Sequence, residues 1–342
     1  MTSRPRILVS RTDGIGDVAL TLPLCGLLVE RLEAEVLFLC RPYARAVVEA
    51  SPHVHQVVEW DARAEREPAH ARTLLAGVGV ETIVHAFPRP AIARAARAVR
   101  IPRRVGTSHR WYHWLTCTDR VAFSRRRSDL HEAQLDVRLA EPLLGRGVPP
   151  LDALVPLGRL VPRTAPAKEL LDLLEPRRTT VVLHPKSHGS AREWPLARWA
   201  SLAVSLDPGR FRLFVTGSAA EGELLRPWLR GLPPHVVDLT GRMSLAQLIG
   251  FLARVDGIVA ASTGPLHLAA QLGRHALGLF SPTRPVHPGR WAPLGPHAEV
   301  LTPEAPCDAC ARGKQPCTCL LGIGIDDVRR RVESWKSGGM AS

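Results

Sequence analysis

Short apolar runs alternate with longer stretches of helical periodicity, twice over, and this rhythm limits what the chain can fold into more than any other feature. In the first half Ile7 to Ser10, Val36 to Cys40, Gln56 to Trp60 and Thr82 to Ala86 read as strands, with helices around 18–32, 42–50 and 64–77. Residues 148–166, VPPLDALVPLGRLVPRTAP, carry five prolines and read as an extended connection. The rhythm then restarts, with strands at Thr180 to His184, Arg212 to Thr216, His235 to Asp238, Gly257 to Ala260 and Ala276 to Phe280. Strand–helix alternation implies parallel sheets covered by helices on both faces. The expected organisation is an α/β chain with a Rossmann-like domain at 1–150, a proline-rich linker at 151–167, a second such domain at 168–324, and a terminal helix and tail at 325–342. Ligands in such sheets bind beyond the carboxyl ends of the strands, here expected in a cleft between the domains.

Charge and composition exclude some classes. The net charge is +13, but of 45 basic residues only four are lysine (Lys168, Lys186, Lys314 and Lys336), so much of the arginine reads as a replacement for lysine. A nucleic-acid-binding protein would need a concentrated basic, aromatic-lined surface, which only His109 to Arg127 approaches; that class is the remote alternative. Asn is absent, which removes N-glycosylation and any Cys-His-Asn triad. The longest stretch without Asp, Glu, Lys or Arg, Gly257 to Gly273, is too short and polar to span a bilayer, and MTSRPRILVS lacks the pattern of a signal peptide. A cytoplasmic location is expected.

Three segments follow strand ends and carry chemistry. Arg11-Thr-Asp13-Gly14-Ile-Gly16-Asp17 opens the first helix; its glycines permit a tight turn, and Asp17 reads either as a base or as a helix cap. It is not a dinucleotide fingerprint, since Ala19 occupies the third glycine position and the second strand ends in Cys40-Arg41 without an acid. Ser262-Thr263-Gly264-Pro265-Leu266-His267 places capping hydroxyls and a first-turn proline where free N–H groups suit a diphosphate, with His267 at the same end. His184-Pro-Lys186-Ser187-His188-Gly-Ser190-Ala-Arg192-Glu-Trp-Pro195 brackets a loop with two cations, and Thr216-Gly217-Ser218 leads to Glu221, read either as a ribose contact or as a solvated helix-start carboxylate. HRWYHWLTCTDR (109–120) reads equally as an amphipathic cap and as an acceptor contact through Arg110 and Arg120. Cys25, Cys40 and Cys117 are scattered, whereas Cys307, Cys310, Cys317 and Cys319 lie close enough in sequence to hold a structural zinc or to stand as free thiols in a surface loop.

Taken in order, R-x-D-x-x-G-D, H-P-K-S-x-x-S-A-R-E-W-P, T-G-S-x-x-E, S-T-G-P-L-H-L-A-A and R-W-x-P-L-G resemble glycosyltransferase family 9, the ADP-heptose:lipopolysaccharide heptosyltransferases and their relatives, from Ile7 to about Val328. The resemblance implies a GT-B fold, two Rossmann-like domains facing a central cleft, with acceptor on the first domain and nucleotide sugar on the second. It makes Asp17 the general base of an inverting transfer, puts the donor phosphates on Lys186, Ser187, Arg192, Thr263 and Gly264, and puts the nucleoside near Gly217, Glu221 and Met243. Asp13, Gly14, Gly16, Arg110 and Arg120 fall on the acceptor side. Two positions depart from the usual pattern, Ser262 in place of Asp and Arg192 in place of Lys, both at the donor phosphates. No Asp-x-Asp occurs, so no metal is expected in catalysis. An ADP-sugar donor, an anionic glycolipid acceptor and peripheral contact at the inner face of the inner membrane are the expected partners. A nucleotide-sugar epimerase or hydrolase of the same architecture is the alternative enzyme.

Overall fold

The structure, a computed structural model, describes residues 4–125, 127–187, 189, 191–312 and 317–335. The chain divides into two units, meeting in sequence at Val161 and Pro162. In the first, strands β1 (Arg6–Ser10), β2 (Glu35–Cys40), β3 (Gln56–Glu59), β4 (Thr82–Val84), β5 (Arg103–Thr107) and β6 (Asp119–Val121) form one parallel sheet in the order β3-β2-β1-β4-β5-β6. In the second, β7 (Thr179–His184), β8 (Phe211–Val215), β9 (Val236–Asp238), β10 (Gly257–Ala261), β11 (His275–Leu279) and β12 (Ala298–Leu301) are ordered β12-β11-β10-β7-β8-β9. The two sheets have the same doubly wound topology, and each is one of the Rossmann-like halves expected of a GT-B protein.

The central strands are buried on both faces, which is why they read as unbroken apolar runs and not as alternating ones: all six residues of β7 and all five of β10 are buried. The core of the first unit gathers Leu8, Leu37, Leu39, Trp60, Ile83 and Ile92. In the second, Trp194, Trp199, Phe211 and Leu213 are joined by Val328, Val332 and Trp335, the last two on or just past the helix Ile325–Glu333. Trp335 stacks on His275 at 5.1 Å, so the terminal helix is part of this core.

Three features differ from the sequence expectation. The 148–166 stretch is not simply extended: it forms short helical turns at Leu151–Leu154 and Pro156–Gly158, which bury Leu154 and lay Leu157 against the helix Ile15–Leu32. That approach requires Gly26, where a Cβ would stand 2.9 Å from Leu157 Cβ. The helix expected over 64–77 is two, Ala62–Arg66 and Pro68–Val78, because Pro68 restarts it. Strands β5, β6 and β12 went unread because they are short and carry charges. No described helix is long and apolar enough to cross a membrane.

Candidate active site

In a doubly wound sheet the ligand crevice opens where strand order reverses, between β1 and β4 in one unit and between β7 and β10 in the other. The motifs singled out in the sequence follow β1, β7 and β10, so the two principal candidate sites occupy these reversal points.

In the first unit Arg11 leaves β1 with its side chain only 3% exposed and meets four carboxylates. Nε donates to Asp13 at 2.7 Å, Nη2 to Asp17 at 2.5 Å, and Nη1 to Glu132 at 3.0 Å and Asp136 at 3.3 Å. Arg125 closes the far side, 3.1 Å from Glu132 and 2.7 Å from Asp136, and Thr21 donates to Asp136 at 2.7 Å. Two guanidinium groups thus face four carboxyls, a local excess of negative charge. Burial, opposed by Arg11 and reinforced by Asp17, pushes Asp13 up to about 6. Asp136, wholly buried, is also raised, burial outweighing Arg11 and Arg125.

The helix Ile15–Leu32 is capped by Gly14, not by Asp17, which lies in its first turn and is a quarter exposed. A Cβ at residue 14 would come within 2.9 Å of Asp17 Oδ2, so any side chain there would push the carboxylate aside. Gly16 is the second residue of this helix. Tyr43 donates to the Asp13 carbonyl at 2.5 Å, holding the turn. Beyond β4, His85 and His113 stack at 5.5 Å, both buried. Burial, with His113 and Arg104 nearby, lowers His85 to about 3; burial also lowers His113, so both stay neutral at ordinary pH.

The second carboxylate pair, Glu132 and Asp136, has no place among the sequence motifs. A signal exists: acids four apart in HEAQLDV share a helix face with apolar neighbours, an arrangement that calls for buried cationic partners. Arg110 and Arg120 lie elsewhere, on either side of the helix Trp111–Thr116, and among the described residues neither is bonded to the Arg11 cluster. Arg126 of the basic run lies outside the described residues.

In the second unit, Ser262 and Thr263 follow β10, and Thr263 is the N-cap of the helix Gly264–Gln271. Thr263 makes no side-chain capping bond; its Oγ1 is buried without a partner among the described residues. A buried unpartnered hydroxyl beside free helix N–H groups is suited to an anionic oxygen. His267, also buried, sits on the first turn. His184 at the end of β7 pairs with Thr216 at 2.9 Å, joining the loops after β7 and β8.

The loop after β7 departs from expectation. Lys186 is ion-paired to Glu193, which also accepts from Ser187 N and Oγ, each at 2.9 Å. Burial raises Glu193, but the hydrogen bonds from Lys186 and Ser187 outweigh it and leave the group lowered. Lys186 is therefore not the unpaired cation the motif suggested. Arg192 keeps a buried Nε with no partner among the described residues. His188 and Ser190 lie outside the described residues. After β8, Glu221 is neither solvated nor wholly free for a ribose: Oε2 accepts from Ser218 N at 2.8 Å in a capping box. Gly217 packs against Glu221 and Thr240, while Met243 is half-buried just ahead of the helix Leu245–Leu252.

Away from both reversal points, the Sγ atoms of Cys307, Cys310, Cys317 and Cys319 all lie within 4.8 Å of one another. Cys307 N donates to Cys319 Sγ at 3.2 Å and Thr318 N to Cys307 Sγ at 3.4 Å. Backbone N–H groups of Cys310 and Thr318 lower Cys307 to about 5, whereas burial and neighbouring thiols push Cys317 up to about 12. Burial raises the isolated Cys40 to about 12 and Cys117 to about 11, as inert core thiols.

The chain is similar to known proteins in sequence and in fold. Residues 151–320 match the family model described as glycosyltransferase family 9 (heptosyltransferase). Lipopolysaccharide heptosyltransferase 1 of Pseudomonas aeruginosa is 36% identical over 135 residues, covering 38% of this chain and 36% of that protein. The aligned segments span about a third of the length of the first curated relatives. Among solved structures, a glycosyl transferase family 9 protein of Veillonella parvula aligns with a TM-score of 0.77 at 18% identity, covering 96% of each chain. The E. coli ADP-heptose lps heptosyltransferase II aligns with a TM-score of 0.75 at 19% identity, covering 96% of this chain and 98% of that one. The structural likeness carries the fold along nearly the whole chain, and residues 151–320, which hold four of the ordered motifs, form a glycosyltransferase family 9 domain.

Proposed function

We propose that the protein is an inverting glycosyltransferase that moves a sugar from a nucleoside diphosphate sugar to a hydroxyl of a lipopolysaccharide core or related surface glycan. The observation that carries the reading is Asp17, held by buried Arg11 at the reversal point of the first sheet. Asp17 takes the proton of the acceptor hydroxyl as its oxygen bonds to the anomeric carbon. The bond from that carbon to the diphosphate oxygen breaks with its electron pair, and configuration inverts. The N-terminus of the helix Gly264–Gln271, with Thr263 and Arg192, meets the charge on the departing diphosphate. Lys186, locked to Glu193, shapes the loop around Ser187 and contributes little free charge. Gly217, Glu221 and Met243 form the nucleoside side, and Asp13, Gly14 and Gly16 the acceptor side.

ADP-heptose is the favoured donor, supported by the name of the E. coli relative. Melting shifts across ADP, UDP, GDP and their sugars test this: ADP and ADP-heptose should give the largest stabilisation, and a larger shift with UDP or GDP would overturn the donor assignment. Release of free sugar without acceptor would instead identify a hydrolase.

The four cysteines fit a structural zinc, outside the chemistry. Tetrahedral zinc at its usual bond length separates sulfurs by about 3.8 Å, and N–H···S bonds of the kind at Cys307 and Cys319 stabilise thiolates. One zinc per chain, lost in Cys310→Ser, is expected by elemental analysis; protein free of metal with four alkylatable thiols in this cluster would contradict it. The protein works at the cytoplasmic face of the inner membrane, where a lipid-borne acceptor is presented.

A further inference from the structure

Of the eight exposed large apolar side chains among the described residues, three lie within five consecutive positions: Trp111 at 76% exposure, Trp114 at 60% and Leu115 at 62%. They share one face of the helix Trp111–Thr116, at i, i+3 and i+4, while Tyr112, His113 and Thr116 on the opposite face are buried. The exposed face is held, not frayed. Trp114 Nε1 donates to the Ser108 carbonyl at 3.0 Å, and buried His113 is bonded to the Thr107 carbonyl at 2.9 Å.

Cations surround these side chains. Arg120 lies over the Trp114 ring at 4.7 Å, Arg97 donates to the Leu115 carbonyl at 2.6 Å, and Arg110 immediately precedes Trp111. All three arginines are exposed, and none forms a salt bridge among the described residues. Tryptophan bodies with flanking guanidinium groups suit the boundary between headgroups and acyl chains, where apolar rings enter and cations stay with phosphates. A second copy of this chain is disfavoured as occupant, because a two-fold contact would set the same cationic rim against itself.

We infer that the Trp111–Trp114–Leu115 face, with Arg97, Arg110 and Arg120, is the surface by which the protein docks on an anionic bilayer. The inference rests on the reading above, in which the acceptor is lipid-borne, and it names the element that makes the membrane contact. Partial insertion of the two indoles supplies the apolar part, and the arginines supply selectivity for anionic headgroups.

The test is co-sedimentation of the full chain with vesicles of phosphatidylcholine containing about one third phosphatidylglycerol, compared with pure phosphatidylcholine. Binding should favour the anionic vesicles and weaken as salt rises from about 0.1 M to about 1 M. Trp111→Ser/Trp114→Ser should lower partitioning about tenfold or more with an unchanged melting temperature. Arg97→Gln and Arg120→Gln should each lower it about fivefold. No binding by the wild type, equal binding to neutral vesicles, or a tryptophan double variant that binds like the wild type would overturn the inference. So would wild-type dimerisation abolished by the double variant without vesicle binding. The vesicles contain neither nucleotide nor glycan acceptor, so failure of sugar transfer with vesicle binding intact would strike the functional reading alone.

Discussion

Replacing Arg11 by methionine removes one guanidinium from a cluster in which two serve four carboxyls, and the structure sets the expected cost. Glu132 and Asp136 have fully inaccessible side chains and, among the described residues, would keep Arg125, itself 22% exposed, as their cationic partner. Breaking a buried pair costs about 3–5 kcal/mol, and the remaining cation puts this case near about 3. Asp13 and Asp17, 21% and 25% exposed, add less than about 1 kcal/mol each because solvent screens them. The sum, about 3–5 kcal/mol, lowers the melting temperature of the first unit by about 10 °C or more. The deficit should also depend on pH. Without Arg11 the folded-state carboxyls titrate higher than in the unfolded chain, so the folded state binds more protons and stability returns as pH falls. Calorimetry of Arg11→Met against wild type at pH 7 and pH 5 should therefore show a smaller gap at the lower pH. A gap under about 1 kcal/mol at pH 7, or one that widens on acidification, would refute the reasoning.

Asp13→Asn should remove part of the wild type's own pH dependence. With Asp13 raised to about 6 in the folded state, its contribution is most favourable below the unfolded value and is lost as pH rises through about 6, on the order of 2–3 kcal/mol; denaturant midpoints from pH 4 to 7 should flatten in the variant. Gly14→Ala tests room for the base: residue 14 has φ −60°, which alanine adopts freely, so folding should be unchanged while the displaced Asp17 carboxylate lowers kcat by about tenfold or more. Thr263→Val should leave the ligand-free protein as stable or slightly more so, since it deletes a buried unpartnered hydroxyl, yet weaken nucleotide binding about tenfold by titration calorimetry. Weakened folding with unchanged nucleotide affinity would remove Thr263 from the donor site.

The strand rhythm made both sheets legible because doubly wound central strands are buried on two faces and leave continuous apolar runs. The reversal-point motifs were legible for a related reason: glycines, caps and first-turn prolines mark where a strand ends and a helix begins. What stayed hidden is non-local. Glu132 and Asp136 lie more than a hundred residues from Arg11, and only folding brings them to it. Lys186 looked available because a seven-residue separation does not reveal that Glu193 folds back onto it. Glu221 was open to better reading, since Ser218-x-x-Glu221 is itself a capping signature and implied that one carboxylate oxygen was engaged. The basic aromatic segment at 109–120 reads as a cap or an acceptor contact; it holds the helix Trp111–Thr116, with one face buried and the other open, and runs into β6.

The central claim is that Asp17 is the base of the transfer. Its direct test is the steady-state rate of Asp17→Asn with saturating nucleotide sugar and acceptor, alongside donor affinity and melting temperature. Asparagine keeps the size and the place beside Arg11 but cannot take a proton, so kcat should fall by about 10²–10⁴ with donor affinity and fold intact. A kcat near that of the wild type would contradict the assignment.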